Sequence, residues 1–300
     1  MKRRQFLARS IAGLGTVAIA PSLIFAQSKP ALTYDPCERF ELGRTKIKVS
    51  RMCLGTGMRG GGGASNHTRM GTEKFHALIR GAYERGVRVF DLADLYGTHP
   101  YIIPALKDVP RKDIAIFSKL WFRKGGMPTE ERPDADIVVQ RFLKEIKTDY
   151  IDLLLLHCTT DKDWNTKLES QMKIMDDLKK KGIIRAHGVS CHSLDALKTA
   201  ADEPWVDSVH VRINAYGDKM DASPEEVAPV VTTMHKAGKG IVGMKLIGEG
   251  LYRDSDEKRD KSLKYVLDLG AVDVLNVGFE KIEEIDDYTA RVRRVARINA

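Results

Sequence analysis

Apolar and polar positions follow two different periods along most of the chain. Beyond about residue 38, short apolar runs rich in β-branched residues alternate with longer stretches in which apolar residues recur every three or four positions. The second pattern is typical of amphipathic helices, and in 134–147 the apolar side chains between Ile137 and Ile146 fall on one stripe with charges opposite. Residues 151–156 are instead apolar at nearly every position, which indicates a strand buried on both faces.

The alternation predicts eight strands and seven helices. We expect the strands at 51–55, 87–92, 114–118, 150–157, 184–190, 208–214, 240–246 and 272–277. We expect the helices at 72–85, 134–147, 167–181, 193–201, 223–237, 256–269 and 282–295. The stretch 100–110 is short and holds three prolines, so a loop or a poorly formed helix is expected there.

Strands that alternate with helices form a parallel sheet, which either stays open or closes on itself. The spacing of about 25–45 residues per unit favours closure into one α/β domain, a (β/α)8 TIM barrel. No change of composition marks a second domain.

The first 26 residues differ from the rest of the chain. They carry four basic residues and no acid, followed by an apolar run that ends at Ala26 before a polar stretch, which is the layout of an export signal. The segment Arg3-Arg4-Gln5-Phe6-Leu7 resembles the twin-arginine motif, which the export machinery reads as an address. We predict a signal peptide at 1–26, a linker at 27–37 and the barrel at 38–300, in a periplasmic or otherwise exported protein.

An uncleaved membrane tether is the alternative for the leader. Its apolar part contains Gly13, Gly15 and Pro21 and is short for a membrane span. We therefore expect no stable span after processing.

Charge and cysteine content narrow the class of protein. Four of the positive charges behind the net charge of +8 lie in the leader, and no run of Lys and Arg is interleaved with aromatic residues, so nucleic-acid binding is not expected. The four cysteines are too few for a disulfide scaffold and lack metal-site spacing, so no metal is expected. Cys158 and Cys191 end adjacent predicted strands and are expected to be thiols rather than a redox pair.

The segment Gly55-Thr56-Gly57-Met58-Arg59-Gly60 matches a dinucleotide-binding pattern of glycines. A Rossmann phosphate turn needs a helix that begins at the third glycine. More glycines and polar residues follow here, and helical periodicity begins only near Thr72. The segment is therefore interpreted as a loop at the barrel mouth, with a Rossmann fold as the alternative.

Four ionisable residues follow three neighbouring predicted strands. Asp91 and Tyr96 follow the second strand, Lys119 ends the third and His157 ends the fourth. The carboxyl ends of barrel strands converge on one mouth, so these side chains are predicted to form a cluster there. Each alone has a simpler explanation, such as a helix cap, turn packing, a solvated strand end or a core histidine.

The chemistry of this set suits carbonyl reduction. A proton must reach the developing alkoxide as hydride reaches carbon, and a phenol with a pKa of about 10 is a weak acid near neutrality. A neighbouring ammonium stabilises the phenolate and lowers that pKa, and a carboxylate keeps the ammonium charged and in place. A histidine can polarise the carbonyl.

At these residues the chain resembles the aldo-keto reductase superfamily, over 38–295. The motif D-x-A-x-x-Y-G at 91–97 carries the resemblance, together with 40–50, which looks like the family's opening hairpin. The resemblance implies that Tyr96 donates the proton and that Lys119, paired with Asp91, activates Tyr96. It also implies that His157 orients the carbonyl. It also implies NADPH or NADH lying across the barrel mouth and reduction of aldehydes or ketones by hydride transfer.

The same resemblance assigns cofactor contacts. Gly55 and Gly57 lie at the mouth, Ser190 is similar to the residue that touches the nicotinamide carboxamide, and Cys191 stands where Asn is usual. The family's Gln on the next strand falls at Val211, with Asn214 or Tyr216 as substitutes. The loop 246–250 resembles the segment that covers the pyrophosphate; its members are Leu246, Gly248 and Gly250.

The adenosine end is assigned to 276–281. Gly278 belongs to this segment, and Glu280 stands where many NADPH users place an Arg against the 2′-phosphate. A carboxylate repels phosphate and can accept hydrogen bonds from a ribose diol, but Lys281 is adjacent, so NADPH and NADH both remain open.

Little sequence follows Val295, so we expect an open substrate pocket whose walls include Trp121 and Phe122. The alternative function is a non-catalytic or weakly catalytic barrel that binds nicotinamide and senses redox state. Free nicotinamide nucleotides are scarce outside the cytoplasm, so an exported reductase is expected to keep a cofactor acquired before export.

Overall fold

The computed structural model of the protein describes residues 34–297. The predicted signal peptide and most of the predicted linker lie outside this range, and the domain boundaries stay predictions.

The described range contains a strand hairpin followed by strands and helices in alternation. The strands are β1 Arg39–Glu41, β2 Lys48–Ser50, β3 Met52–Gly55, β4 Val89–Asp91, β5 Ala115–Leu120, β6 Ile151–Thr159, β7 Ile184–Cys191, β8 Ser208–Arg212, β9 Gly240–Met244 and β10 Val274–Val277. The helices are α1 Asn66–Arg69, α2 Thr72–Glu84, α3 Ile102–Ala105, α4 Ala135–Ile146, α5 Trp164–Lys167, α6 Glu169–Lys180, α7 Leu194–Asp202, α8 Pro224–Lys236, α9 Asp256–Leu269 and α10 Ile282–Arg297.

Strands β3 to β10 form a closed parallel barrel in sequence order. Each strand pairs with the next, and β10 closes the circle against β3 with Asn276 level with Cys53. The predicted (β/α)8 barrel is confirmed, and all eight predicted strands are present with ends that move by up to two residues.

Two apolar layers hold the barrel together. Along β6, Leu153 and Leu155 belong to the cluster inside the barrel, and Leu154 and Leu156 belong to the cluster between the strands and the outer helices. Because neighbouring strand residues point to opposite faces, a strand with helices outside and a filled barrel inside needs apolar residues at both. This double burial explains the unbroken apolar run of β6.

The hairpin β1–β2 closes one end of the barrel. Its residues Leu42, Ile47 and Val49 are fully buried in the inner cluster, beside residues near the starts of the barrel strands. Gly240 at the start of β9 leaves room for this plug, since a Cβ there would come 2.5 Å from Leu42 Cγ. The opposite end, where the strands finish, stays accessible to ligands.

The loops depart from regular alternation in two places that bear on function. The stretch after β4 contains only turns and the single-turn α3, as its prolines predicted. No helix begins at Gly60, since the first helix after β3 begins at Asn66, so the Rossmann alternative is excluded.

Across residues 34–297, none of the helices combines the length and apolar character that a bilayer crossing requires.

Candidate active site

A buried ion pair lies at the open end of the barrel. The ammonium of Lys119, fully buried on β5, donates to both carboxylate oxygens of Asp91 at 2.6 and 2.7 Å and to the carbonyl of Leu92 at 2.8 Å. Asp91 is the last residue of β4 and pairs in register with Phe117, two residues before Lys119. Both side chains therefore point into the barrel from neighbouring strands, and this brings them together.

Asp91 has two further donors that the sequence analysis missed. Nε2 of His210 on β8 lies 3.1 Å from Oδ1, and Nδ2 of Asn276 on β10 donates to Oδ2 at 2.8 Å. A carboxylate only accepts hydrogen bonds, so His210 donates its Nε2–H. Both side chains point into the barrel, whereas the side chains of their apolar neighbours on the same strands point outward. An alternation count along β8 could have found His210.

Burial and these partners set the charge states. Burial would raise the pKa of Asp91, but the Lys119 charge and the hydrogen bonds from His210 and Lys119 hold it well below its ordinary value. Burial would lower the pKa of Lys119, but the Asp91 carboxylate raises it. Burial lowers the pKa of His210. The site therefore holds one carboxylate, one ammonium and a neutral imidazole.

Tyr96 lies above this pair, at the end of a 3₁₀ turn that follows β4. The Lys119 ammonium is 4.9 Å from the centre of its ring, and its hydroxyl lies 3.4 Å from His157 Nε2. Gly97 ends the turn with φ +66°, and a Cβ there would come 1.9 Å from the Gly63 carbonyl oxygen. The motif glycine is thus required for the glycine-rich loop to pack against the Tyr96 turn.

The net effect on the Tyr96 hydroxyl is opposite to the expectation from the sequence. Burial raises the pKa of Tyr96 above its ordinary value; Lys119 acts to lower it, as predicted, while Asp91 opposes that effect. The loss of water around the phenolate outweighs the ammonium. Tyr96 is therefore protonated at neutral pH and carries a proton to donate.

His157 is neutral and close to Tyr96. Its pKa lies well below 6.5 because of burial first, then the charge of Lys119. The rings of His157 and Tyr96 meet edge to face with centroids 5.7 Å apart, and the Trp121 ring lies 5.4 Å from His157 on another side. A neutral imidazole and a protonated phenol thus lie side by side at the mouth.

A cavity of about 510 Å³ extends from Asp91 and Tyr96 to the start of α10, where Glu280 and Glu284 line it. Its lining residues carry three buried polar atoms without a partner in the described residues, which are Asn276 Oδ1, Arg259 Nε and the Tyr288 hydroxyl. Unpaired buried polar groups call for a ligand partner. The donors and acceptors along this elongated cavity fit a dinucleotide with its reactive ring beside Tyr96.

Several predicted cofactor residues line this cavity and others do not. The ones that do are Gly55, Gly57, Leu246, Gly250, Gly278 and Glu280. Gly248 lies beneath the loop instead, because a Cβ there would come 2.7 Å from the Tyr252 ring. Lys281 is exposed outside the lining, and its amide donates to Glu284.

Ser190, Cys191 and Asn214 are buried behind the lining. The Ser190 hydroxyl lies 3.4 Å from His192 Nε2, and Thr159 donates to the Cys191 thiol at 3.6 Å. Burial raises the pKa of Cys191 to about 12. The Asn214 amide donates to two backbone carbonyls and accepts from the Tyr252 hydroxyl and the Tyr216 amide, so its side chain shapes the loops.

Strand phase corrects the assignment on β8. The resemblance places the family's Gln at Val211, but the side chain of Val211 belongs to the outer apolar layer. His210, one residue earlier, faces the barrel interior and bonds to Asp91. A shift of one residue reverses the face of a strand residue, so the alternation along β8 places His210 rather than Val211 inside the barrel.

The two residues predicted as pocket walls, Trp121 and Phe122, lie in different surroundings. Trp121 lies beside His157, whereas Phe122 is partly buried and packs against the outer apolar layer; their role as pocket walls stays a prediction. Cys158 and Cys191 are both free thiols, as expected. Cys158 has φ +62° at an irregularity in the β6–β7 register, directly after His157.

Sequence comparison places this site in a known family. The profile of the Aldo/keto reductase family matches residues 51–277, which include Asp91, Tyr96, Lys119 and His157. The chain belongs to the aldo/keto reductase family. As a member, it is an oxidoreductase that reduces aldehydes or ketones with NADPH or NADH, as the sequence resemblance implied.

The relatives of this aldo/keto reductase are distant in sequence, but some of the matches extend over most of both chains. It is 25% identical over 298 residues to an uncharacterized oxidoreductase of Bacillus subtilis, YqkF, covering 85% of this chain and 92% of the relative. It is 28% identical over 181 residues to an NADH-specific methylglyoxal reductase of Escherichia coli, covering 54% of each chain. The solved holo form of an aldo-keto reductase from Bacillus halodurans has the same fold, with a TM-score of 0.66 and 20% identity, covering 88% of this chain and 96% of that one.

The charge states predict how carbonyl reduction by this aldo/keto reductase depends on pH. If Tyr96 donates the proton and His157 acts neutral, both are in the required state between a pKa well below 6.5 and one above 10.0. We therefore expect kcat/KM to be level from about pH 6 to about pH 9 and to fall only on the alkaline side. Steady-state rates across this range measure it, and a bell-shaped profile centred near neutrality would contradict these charge states.

Proposed function

We propose that this enzyme reduces small aldehydes or ketones with Tyr96 as the proton donor. The observation that carries the proposal is the contact of a protonated phenol with a buried ammonium and a neutral imidazole at one end of the cavity. A spectator tyrosine would need neither a fully buried Lys119 nor its ion pair with Asp91.

The residues of the chain divide the work of one proton transfer. Bound nicotinamide supplies the hydride that reaches the carbonyl carbon. The Tyr96 O–H bond breaks and its proton passes to the carbonyl oxygen, leaving a phenolate that the Lys119 ammonium stabilises. Asp91 keeps Lys119 charged and in place, and His157 orients the carbonyl oxygen beside the Tyr96 hydroxyl.

We further propose that NADH is preferred over NADPH. Glu280 and Glu284 line the same cavity as Tyr96, towards α10, and would hold the adenosine end of a dinucleotide whose nicotinamide is bound at Tyr96. The Glu284 carboxylate already accepts from the amides of Glu280 and Lys281 at 2.8 and 3.3 Å, so the start of α10 is occupied by the protein's own anion. A 2′-phosphate would meet these carboxylates, whereas a ribose diol can donate to them.

Replacing Tyr96 with phenylalanine tests the catalytic proposal. We expect kcat for aldehyde reduction to fall about 10²- to 10⁴-fold, because the donor is lost. The dissociation constant for NADH, measured by fluorescence quenching, should change little. Tyr101→Phe is the matched control, since its ring packs against Phe75 outside the cavity lining.

Two outcomes would contradict the catalytic proposal. Retained turnover in Tyr96→Phe would remove the role of the phenol. Tight NADH binding by the unaltered protein, without turnover of any aldehyde or ketone in a broad panel, would instead favour a nicotinamide-sensing barrel.

Binding measurements on Glu280 variants test the cofactor preference. The unaltered protein should bind NADH at least about tenfold more tightly than NADPH, and Glu280→Gln should narrow that ratio by removing one repelling charge. Glu283→Gln is the control, because Glu283 lies three residues further on, in the first turn of α10, exposed and outside the cavity lining. Equal affinities in the unaltered protein, or equal effects of the two substitutions, would overturn the preference.

We also propose export through the twin-arginine route, supported by the Arg3-Arg4 motif and the apolar run that follows it. Exchange of both arginines for lysine should retain the protein in the cytoplasm of a bacterial host, whereas Arg9→Lys should not. Fractionation followed by immunoblotting measures this. Exported protein should carry bound nicotinamide nucleotide, and export unaffected by the double exchange would argue against this route.

A further inference from the structure

The arginine that follows the third barrel strand is held beside the catalytic histidine. Arg123 Nη1 donates to the carbonyl oxygen and thiol of Cys158 at 3.1 and 3.5 Å and to the Thr160 hydroxyl at 3.2 Å. Cys158 directly follows His157. The guanidinium also lies 6.0 Å from the Trp121 ring, whose other neighbour is His157.

The loop that carries Arg123 is held in shape by a second arginine. Arg132 donates to the carbonyl oxygens of Arg123 and Gly125 at 2.8 Å each, and the Trp121 indole donates to Gly125 at 2.7 Å. These contacts fix the backbone on both sides of Arg123. Its guanidinium therefore needs little further ordering to meet a ligand.

Arg123 lacks a counter-charge. Among residues 34–297, all of its hydrogen bonds go to uncharged acceptors and use Nη1 alone, leaving Nε and Nη2 without protein partners. Two other cations on this side of the mouth are neutralised, Arg212 by Asp221 and Lys245 by Glu249. The unpaired edge of Arg123 has the planar two-donor geometry that matches a carboxylate.

Neutral groups surround the space next to this edge. Burial first, then the charges of Arg212, Lys245 and Arg123, lowers the pKa of His192 to about 3, so this imidazole does not add a charge. His157 is neutral as well. Arg123 thus offers an unpaired cation to an anionic substrate on the side of the mouth where His157 and Trp121 lie.

We propose that the preferred substrate is an aldehyde or ketone that also carries a carboxylate, and that Arg123 binds this carboxylate through its Nε and Nη2 edge. The inference rests on the proposed function and names its substrate class. Trp121 forms the apolar wall between the two ends of such a substrate, with the carbonyl beside Tyr96 and His157 and the carboxylate beyond the indole.

A matched pair of substrates tests the inference. The probes are 4-carboxybenzaldehyde and its uncharged analogue 4-formylbenzamide, each at saturating reduced cofactor. We expect the unaltered enzyme to favour the carboxylate by about tenfold or more in kcat/KM, chiefly through KM, because a two-donor charged contact is formed. Arg123→Gln should bring this ratio close to one, and Arg123→Lys should retain part of it.

Lys124→Gln is the control, because it removes the same charge from the neighbouring exposed residue. A ratio near one in the unaltered enzyme, or a ratio that survives Arg123→Gln, would overturn the inference. So would an equal loss in Lys124→Gln, which would indicate a general field rather than a contact.

Failure of this inference is distinguishable from failure of the proposed function. Turnover of 4-formylbenzamide without preference for the acid overturns only the carboxylate site. If neither these compounds nor any carbonyl in the broad panel is reduced, the proposed function fails, and quenching of tryptophan fluorescence by 4-carboxybenzaldehyde still tests the site. Quenching lost in Arg123→Gln but kept in Lys124→Gln would support it, and quenching unaffected by either substitution would overturn it.

Discussion

The site depends on one ion pair, Lys119 with Asp91, enclosed in the barrel. Taking two charges out of water costs several kcal/mol for each unless good partners replace the water. The carboxylate has them, since both oxygens meet the ammonium and each also accepts from His210 or Asn276. Removing one charge would leave the other buried and uncompensated, at a cost of about 3–5 kcal/mol.

Closure of the barrel makes that arrangement possible. The four residues of the network come from β4, β5, β8 and β10, and only a closed sheet brings β8 and β10 across from β4 and β5. The hairpin β1–β2 fills the opposite end with apolar side chains, so polar groups concentrate where the strands finish. A single open end then receives both the cofactor cavity and the substrate loop.

The two sides of the mouth differ in charge. Towards α10 the cavity lining includes the carboxylates of Glu280 and Glu284, and these two groups underlie the proposed preference for NADH. On the other side, Arg123 presents a cation without a carboxylate partner among the described residues. Tyr96 lies between them, protonated because its burial outweighs the nearby ammonium.

The sequence by itself determined the barrel and the four ionisable residues at its open end. Alternating periods fix where strands and helices form, and the ends of parallel strands must meet, so Asp91, Tyr96, Lys119 and His157 could be placed at one mouth. Only the tertiary structure assigned His210 and Asn276 to Asp91, packed Phe122 against the outer apolar layer and bonded the Asn214 amide to neighbouring loops. It also decided the sign of the Tyr96 pKa shift. Strand phase, loop packing and loss of water depend on contacts between distant segments, which local pattern does not record.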